Sequence, residues 1–346
     1  MPLFPFLLLF QLMTSCSSRG NSLNETDEHS TAGTAKHSPA LRGMGTPPAR
    51  IRGTASIVNR NMKGTHPVAR VLTAPQSLHI PSQSTQKAMY PWKRRASRYE
   101  SLASRFPAPA GFHRVKIKTG TYAYYLRHLP LLPQGSKVKS YDGLLLVDST
   151  KAAAAVIDLD VGKRDLQQCM DTIMRIRGEY HWWRKSSTRV KFRYGGGKYF
   201  GWAQWKNGIR PRQHGRSVVY EPRGTVDSSR KNFIRYLTFM FAMTGTINNN
   251  REPTVKKLAD LSAGDFFIHP APSARVLGHA IIIVDIIKNA TGRVKILMAQ
   301  GYTPAQDFHV IKNPSGGIWY DINETATINT PLWSGFLWKN LRRFRY

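Results

Sequence analysis

The chain reads GDFFIHPAPSARVLGHAIIIVDIIKNATGRVKILMAQ from Gly264 to Gln300, and this stretch decides the fold. Gly264-Asp265 predicts a turn, and short apolar runs separated by turn residues predict strands. With the run that follows, the predicted strands are 266–269, 279–287, 294–300 and 308–311. Strands that follow one another through short connections pair antiparallel. The last third of the chain therefore predicts a largely antiparallel sheet.

The residues before this sheet mix both kinds of element. Strand-like segments lie at 114–117, 121–126, 143–147 and 153–159. The clearest helix comes from apolar residues that recur at spacings of three and four, namely Leu166, Cys169, Ile173, Ile176 and Tyr180. A second helix is predicted over 229–243. Strands, then helices, then strands indicate an α+β domain whose sheet packs on helices.

Charge and cysteine content narrow the function classes. The 346 residues are 41% hydrophobic, which argues against a wholly disordered chain, and 51 Lys and Arg face 20 Asp and Glu. A net charge of +31 favours anionic partners such as nucleic acid, phospholipid or an acidic cell-wall polymer. The two cysteines, Cys16 and Cys169, are too few for a disulfide scaffold or a thiolate zinc site. We expect no cofactor.

The N-terminus indicates export. Residues 3–13 form a short apolar run of the length found in signal peptides, so residues 1–15 are expected to be removed. Thr14 and Ser15 lead into Cys16, a pattern that resembles the lipobox of bacterial lipoproteins, in which the cysteine is acylated. This predicts a membrane-anchored lipoprotein of the bacterial cell envelope. In the alternative, the signal is a plain secretory one and Cys16 is incidental.

Residues 16–109 lack a helical or strand period and are rich in Ser, Thr, Pro, Gly and Arg. We interpret them as a flexible basic stalk, with the folded domain at 110–346. A solvated tether is favoured over dedicated nucleic-acid binding, although such a segment adheres to polyanions in a salt-dependent way. The expected partners are therefore an envelope polymer such as peptidoglycan or an acidic glycan, and the membrane through the lipid anchor. We expect a monomer with no specific nucleic-acid partner.

His279 is the first candidate site residue because it opens a buried strand directly after Gly278. Alternation along this strand places His279 and Asp285 on one face and Ala280 on the other. If the next strand forms a hairpin with it, Gln300 lies beside His279 and orients its imidazole. A hydrogen-bonded structural histidine remains the alternative.

The pattern of Gly-Asp, strand, Gly-His and strand resembles the NlpC/P60 and CHAP branches of the papain-like fold. In those branches a cysteine at the start of an earlier helix is the nucleophile, which here implies Cys169 with His279 and Gln300. A more specific resemblance, from about Gly111 onward, is to a bacterial envelope family known as domain of unknown function 4846. It rests on YDG at 141–143, DLDVG at 158–162, RDLQQC at 164–169, GD at 264–265, GHA at 278–280 and AQGYTPAQ at 299–306.

Two functions follow from these residues. In a thiol amidohydrolase, the thiolate attacks an amide carbonyl, and the imidazolium lowers the thiol pKa and protonates the leaving group. Peptidoglycan peptides or a related amide are the expected substrates. Against this, the apolar spacing places Cys169 in the core-facing stripe of its helix, a full turn inside it, where cysteines are usually inert packing. The alternative is a non-catalytic module that binds the envelope or an anionic glycan.

Three weaker candidates remain. Asp158 and Asp160 share a strand face but lack a clear third ligand, so we expect loop hydrogen bonds instead of a metal site. Residues 195–198, GGGK, lack the spacing of a phosphate loop and predict a hairpin or mobile flap. Aromatic and basic residues are mixed over 182–205, a composition typical either of a surface that stacks sugars or bases or of an aromatic core with solvated charges.

Overall fold

The structure, a computed structural model, describes residues 80–346 except 93, 216 and 272–276. The predicted signal peptide, Cys16 and most of the predicted stalk lie outside the described residues. Within them, strands and helices combine as an α+β architecture, and every strand pair is antiparallel. No helix in this part of the chain is long and apolar enough to cross a membrane.

The strands, numbered in chain order, are β1 Phe112–Arg114, β2 Ala153–Val156, β3 Lys191–Arg193, β4 Tyr199–Gly201, β5 Asn207–His214, β6 Ser217–Val226, β7 Phe266–His269, β8 His279–Asn289, β9 Val294–Gln300, β10 His309–Ile311, β11 Tyr320–Ile322 and β12 Leu341–Arg342. Eight of them form the main sheet, in the order β12-β7-β8-β9-β10-β2, with β1 on β8 and β11 on β9. The β3–β4 and β5–β6 pairs form separate two-stranded ribbons. The four predicted strands of the last third are therefore confirmed.

The helices are α1 Gln83–Met89, α2 Leu102–Arg105, α3 Tyr122–Arg127, α4 Val147–Ala152, α5 Cys169–Trp183, α6 Trp202–Lys206, α7 Arg230–Met243 and α8 Thr246–Asn249. The apolar faces of α5 and α7 share a core with one face of β8, on which Ala280 and Ile282 lie. The other face of β8 packs under the C-terminal segment, where Phe336 is fully buried. The long strand β8 is thus covered on both faces, which explains its continuous apolar sequence.

Alternation along β8 reverses at a bulge between Ile283 and Asp285. Beyond it, Asp285 lies opposite Leu297, which packs in the helix-side core. The expectation that Asp285 shares the His279 face is therefore wrong, because one extra residue moves the following side chains to the other face. Asp285 instead forms ion pairs with Arg114 and Arg127, each at 2.7 Å.

Two of the predicted strands are helical or irregular, and a third, predicted at 114–117, is displaced to Phe112–Arg114. Residues 121–126 form most of α3, because the Thr121 hydroxyl accepts the Tyr124 N–H and caps the helix. The helix also buries Tyr125 and Leu126 completely. Residues 143–147 form an exposed turn that leads into α4, held by a hydrogen bond from the Ser140 N–H to the Leu144 carbonyl.

The folded part begins before residue 110, so the predicted stalk boundary is wrong. Helix α1 lies at 83–89, and Met89, Tyr90 and Leu102 are buried in the main core. The Trp92 ring N–H donates to the Asp158 carbonyl at 2.5 Å. Apolar residues that appear singly in sequence are buried here by tertiary contacts with the rest of the domain.

Candidate active site

Cys169 is the first residue of α5, and the preceding Gln168 is its N-cap. The Gln168 N–H donates to the Asp171 carboxylate at 3.3 Å, which fixes the start of the helix there. The expectation that Cys169 lies a full turn inside the helix is therefore wrong. The apolar spacing from Leu166 continued past the true N-terminus because residues before a helix also pack on the core.

Burial and charge oppose ionisation of the Cys169 thiol. Its side chain is 6% exposed, and burial, followed by the nearby Asp171, raises the pKa of the thiol to about 12. The backbone N–H groups of Ala280, Met170 and Cys169 face the sulfur and lower its pKa in part. In this conformation the thiol is protonated at neutral pH.

The residue next to Ala280 is His279, and its ring belongs to a chain of hydrogen bonds. His279 Nε2 lies 2.8 Å from Gln300 Oε1. Gln300 Nε2 lies 3.1 Å from His309 Nε2, and His309 Nδ1 lies 2.9 Å from the Asp307 carbonyl oxygen. His279 and Gln300 are thus brought together as the hairpin predicts, and the ring of His309 continues the chain.

Both imidazoles are neutral at physiological pH. Burial lowers the pKa of His279 to about 4, with smaller contributions from His309 and His269, while the Gln300 hydrogen bond acts in the opposite direction. Burial also lowers the pKa of His309 to about 4, while the hydrogen bond that His309 donates to the Asp307 carbonyl acts in the opposite direction. A neutral imidazole can accept a proton, as a general base requires.

Tyr302 and Trp333 cover the site. The Tyr302 ring centroid lies 4.8 Å from that of His279, and Trp333 lies 5.1 Å from it. Tyr302 also lies near the thiol, since burial and Cys169 both raise the pKa of its phenol. Among the described residues, no hydrogen bond joins the Cys169 thiol to the His279 ring. The thiol and the imidazole therefore share Tyr302 as a neighbour without direct pairing.

Gly301 allows the chain that follows β9 to pass close to the first turn of α5. A Cβ on Gly301 would lie 2.5 Å from Thr172 Oγ1 and 3.1 Å from the Gln168 carbonyl oxygen. The chain after β9 thus passes directly against the first turn of α5. Thr303 Oγ1 donates to Gln168 Oε1 at 3.2 Å and fixes the same crossing. A side chain at position 301 would therefore displace the first turn of α5.

Residues 102–343 match the family model described as domain of unknown function (4846). The chain belongs to this family. No curated protein and no solved structure matches the chain significantly. The resemblance inferred from the short motifs is thus confirmed for domain of unknown function 4846, over a span that includes Cys169, His279, Gln300 and His309.

The Gly264-Asp265 turn has a structural role. Gly264 has φ +103°, and a Cβ there would lie 2.5 Å from the Tyr122 ring. The Asp265 carboxylate accepts two hydrogen bonds from Arg343, at 2.6 and 2.8 Å. These contacts therefore anchor the turn into β7.

The weaker candidates resolve as structural features. Asp158 is fully buried and accepts the backbone N–H groups of Arg95 and Ala96, while Asp160 pairs with Arg175 at 3.0 Å. In the described part of the chain, no group of three or more His, Cys, Asp or Glu side chains is placed to hold a metal ion. Residues 195–197 form the turn of the β3–β4 hairpin, as predicted.

The aromatic and basic segment divides between core and surface. Trp202 and Trp205 are buried in the main core. Arg184, Lys185 and Arg189 are exposed, and the Arg184 guanidinium lies 5.2 Å from the Trp183 ring centroid. The buried rings support the core interpretation, and the exposed cations form a basic edge beside them.

Proposed function

We propose that the protein is an exported thiol amidohydrolase with a papain-like site, in which Cys169 is the nucleophile, His279 the base and Gln300 the orienting amide. The observation that carries the proposal is the convergence of these groups at one end of the sheet. The Cys169 sulfur faces the Ala280 N–H, and the adjacent His279 is held at 2.8 Å by Gln300. Nucleophile, base and orienting group follow in that order along the chain, as in papain-like enzymes.

The chemistry needs one proton transfer and one covalent intermediate. The Cys169 proton passes to His279, and the resulting thiolate attacks the amide carbonyl. The imidazolium then gives this proton to the departing amine as the carbon–nitrogen bond breaks, which leaves a thioester on Cys169. Water, deprotonated by His279, hydrolyses the thioester and restores the thiol. No cofactor or metal takes part.

The described conformation is the resting state of such a site. A buried thiol with a pKa near 12 is a poor nucleophile, so reaction requires that Tyr302 and Trp333 move away from His279. Substrate binding in place of these rings would bring the thiol and the imidazole into contact. The proposal therefore includes an opening step before chemistry.

The proposed substrate is a peptide amide of the cell envelope, such as a peptidoglycan stem peptide. Its support is the basic charge of the chain, +31, together with the predicted export signal and acylation at Cys16. In this proposal a lipid anchor holds a monomeric enzyme at the bacterial envelope beside an acidic polymer, with no specific nucleic-acid partner.

The test is hydrolysis of purified peptidoglycan peptides by single and double variants. Cys169→Ala and His279→Ala should each abolish turnover, and the double variant should be no worse, because neither residue acts without the other. Gln300→Ala should retain more activity, since its role is orientation. His113→Ala, which changes an exposed histidine on β1, is the matched control and should leave the rate unchanged. Turnover that survives Cys169→Ala would exclude this nucleophile.

The buried thiol and the basic edge favour a second function, that of a non-catalytic module that binds an anionic glycan. Its support is the burial of Cys169 and the exposure of Arg184, Lys185 and Arg189. Replacing these three residues with Gln should weaken retention on peptidoglycan or an acidic glycan in this case, and Cys169→Ala should have no effect. Replacing Lys137, Lys139 and Lys151, which are exposed elsewhere, with Gln is the charge-matched control.

A further inference from the structure

We propose that His309 is a positioning residue that fixes which nitrogen of His279 carries the proton. This inference rests on the proposed thiol chemistry, because it concerns the base of that site. It assigns a role to a histidine that neither the Gly-His motif nor the predicted hairpin singles out. His309 lies directly opposite Gln300 in the β9–β10 pair, so the sheet register itself brings the two side chains to one face.

The Asp307 carbonyl sets which atom donates and which accepts along this series of hydrogen bonds. A backbone carbonyl oxygen only accepts hydrogen bonds, and it lies 2.9 Å from His309 Nδ1. His309 therefore carries its proton on Nδ1. In a neutral imidazole the other nitrogen has the lone pair, so His309 Nε2 is an acceptor.

The Gln300 amide transmits this direction to His279. Only its NH₂ group can donate to His309 Nε2, at 3.1 Å, so its oxygen points to His279 Nε2, at 2.8 Å. An oxygen acceptor requires His279 to carry its proton on Nε2. His279 Nδ1 is then unprotonated, and within the described residues it has no hydrogen-bond partner.

Burial of the three side chains excludes other arrangements of these hydrogen bonds. His279 is 2% exposed, and Gln300 and His309 are fully buried, so water does not compete for these atoms. Turning the amide over would set its NH₂ group against a protonated Nε2 or leave two lone pairs facing each other. His279 is therefore preset with an unprotonated Nδ1, the tautomer that can accept a proton from the Cys169 thiol.

The experiment reads the tautomer directly, by ¹⁵N NMR of the full chain labelled at histidine, with the His279 signals assigned by their loss in His279→Gln. In the unchanged protein, His279 Nε2 should show a protonated nitrogen and Nδ1 an unprotonated one. His309→Leu removes the acceptor and should give a mixture of tautomers, while His309→Gln retains an acceptor and should restore the single tautomer. His269→Phe, which changes the histidine opposite His279 in β7, is the control and should leave the tautomer unchanged.

Activity gives the second measurement. His309→Leu should lower kcat at least tenfold with KM unchanged, and His309→Gln should recover most of it. If His309→Leu fails to fold, Gln300→Leu interrupts the same series of hydrogen bonds and should give a mixture of His279 tautomers. A proton on His279 Nδ1 in the unchanged protein would overturn the inference. So would a single Nε2–H tautomer that survives His309→Leu, or that survives Gln300→Leu where His309→Leu fails to fold. Absence of hydrolysis in the unchanged protein would refute the proposed function alone, since the NMR result stands without it.

Discussion

Because the Cys169 thiol is buried beside Tyr302, the rate at which it is alkylated can be predicted quantitatively. An ordinary cysteine has a pKa of 9.0, and here the pKa is raised to about 12. Below pH 9 this difference leaves about a thousandfold less thiolate than in the unfolded chain, and the thiolate is the species that reacts. Iodoacetamide should therefore label the folded protein about a thousandfold more slowly than the urea-unfolded protein at pH 7.5. Tyr302→Ala opens the site and should raise the folded rate at least tenfold.

The assay uses a Cys16→Ser background, so that Cys169 is the single reactive cysteine, and mass spectrometry follows the adduct. Tyr302→Phe keeps the covering ring and should label as slowly as the unchanged protein. His279→Gln added to Tyr302→Ala should cancel most of the gain, because the imidazole stabilises the thiolate once the site is open. Fast labelling of the unchanged folded protein would refute the closed resting state. A gain from Tyr302→Ala that persists without His279 would refute the proposed pairing.

Three further predictions concern stability, pH and anchoring. Gly264→Ala should destabilise the protein by about 2 to 4 kcal/mol in urea unfolding, because its Cβ would overlap the Tyr122 ring at a positive φ. Gly316→Ala is the control and should destabilise the protein less, because Gly316 has φ +105° but no atom lies near its Cβ. Because burial lowers the pKa of His309 from 6.5 to about 4, the unfolded chain binds more protons in that window, and stability falls as the pH drops through it. The unchanged protein should lose about 3 kcal/mol more than His309→Gln between pH 7 and 4. Cys16→Ser should release the protein from the membrane fraction, and retention there would contradict the acylation.

The sequence predicts those parts of the fold that local pattern controls. The strands at 266–269 and 294–300 and the helix at 230–243 follow from apolar runs, turn residues and a Ser229 cap. The contact between His279 and Gln300 follows from a single hairpin. Each of these features depends on residues close together in the chain.

The features that the sequence did not predict depend on distant contacts. Residues 121–126 have strand-like composition, yet the Thr121 cap and burial of Tyr125 make them helical. The core position of Tyr90 requires the rest of the domain. The role of His309 requires the register of β10, and its one local signal is a histidine inside an otherwise apolar strand.

The most direct test of the central claim is to capture the acyl intermediate on Cys169. The protein is mixed with a peptidoglycan stem peptide, quenched in acid within one turnover, and mapped by peptide mass spectrometry. The proposed chemistry predicts an added acyl mass on the peptide that contains Cys169, absent in His279→Ala. Cleavage of the amide without an adduct at Cys169, or with an adduct on another residue, would contradict it.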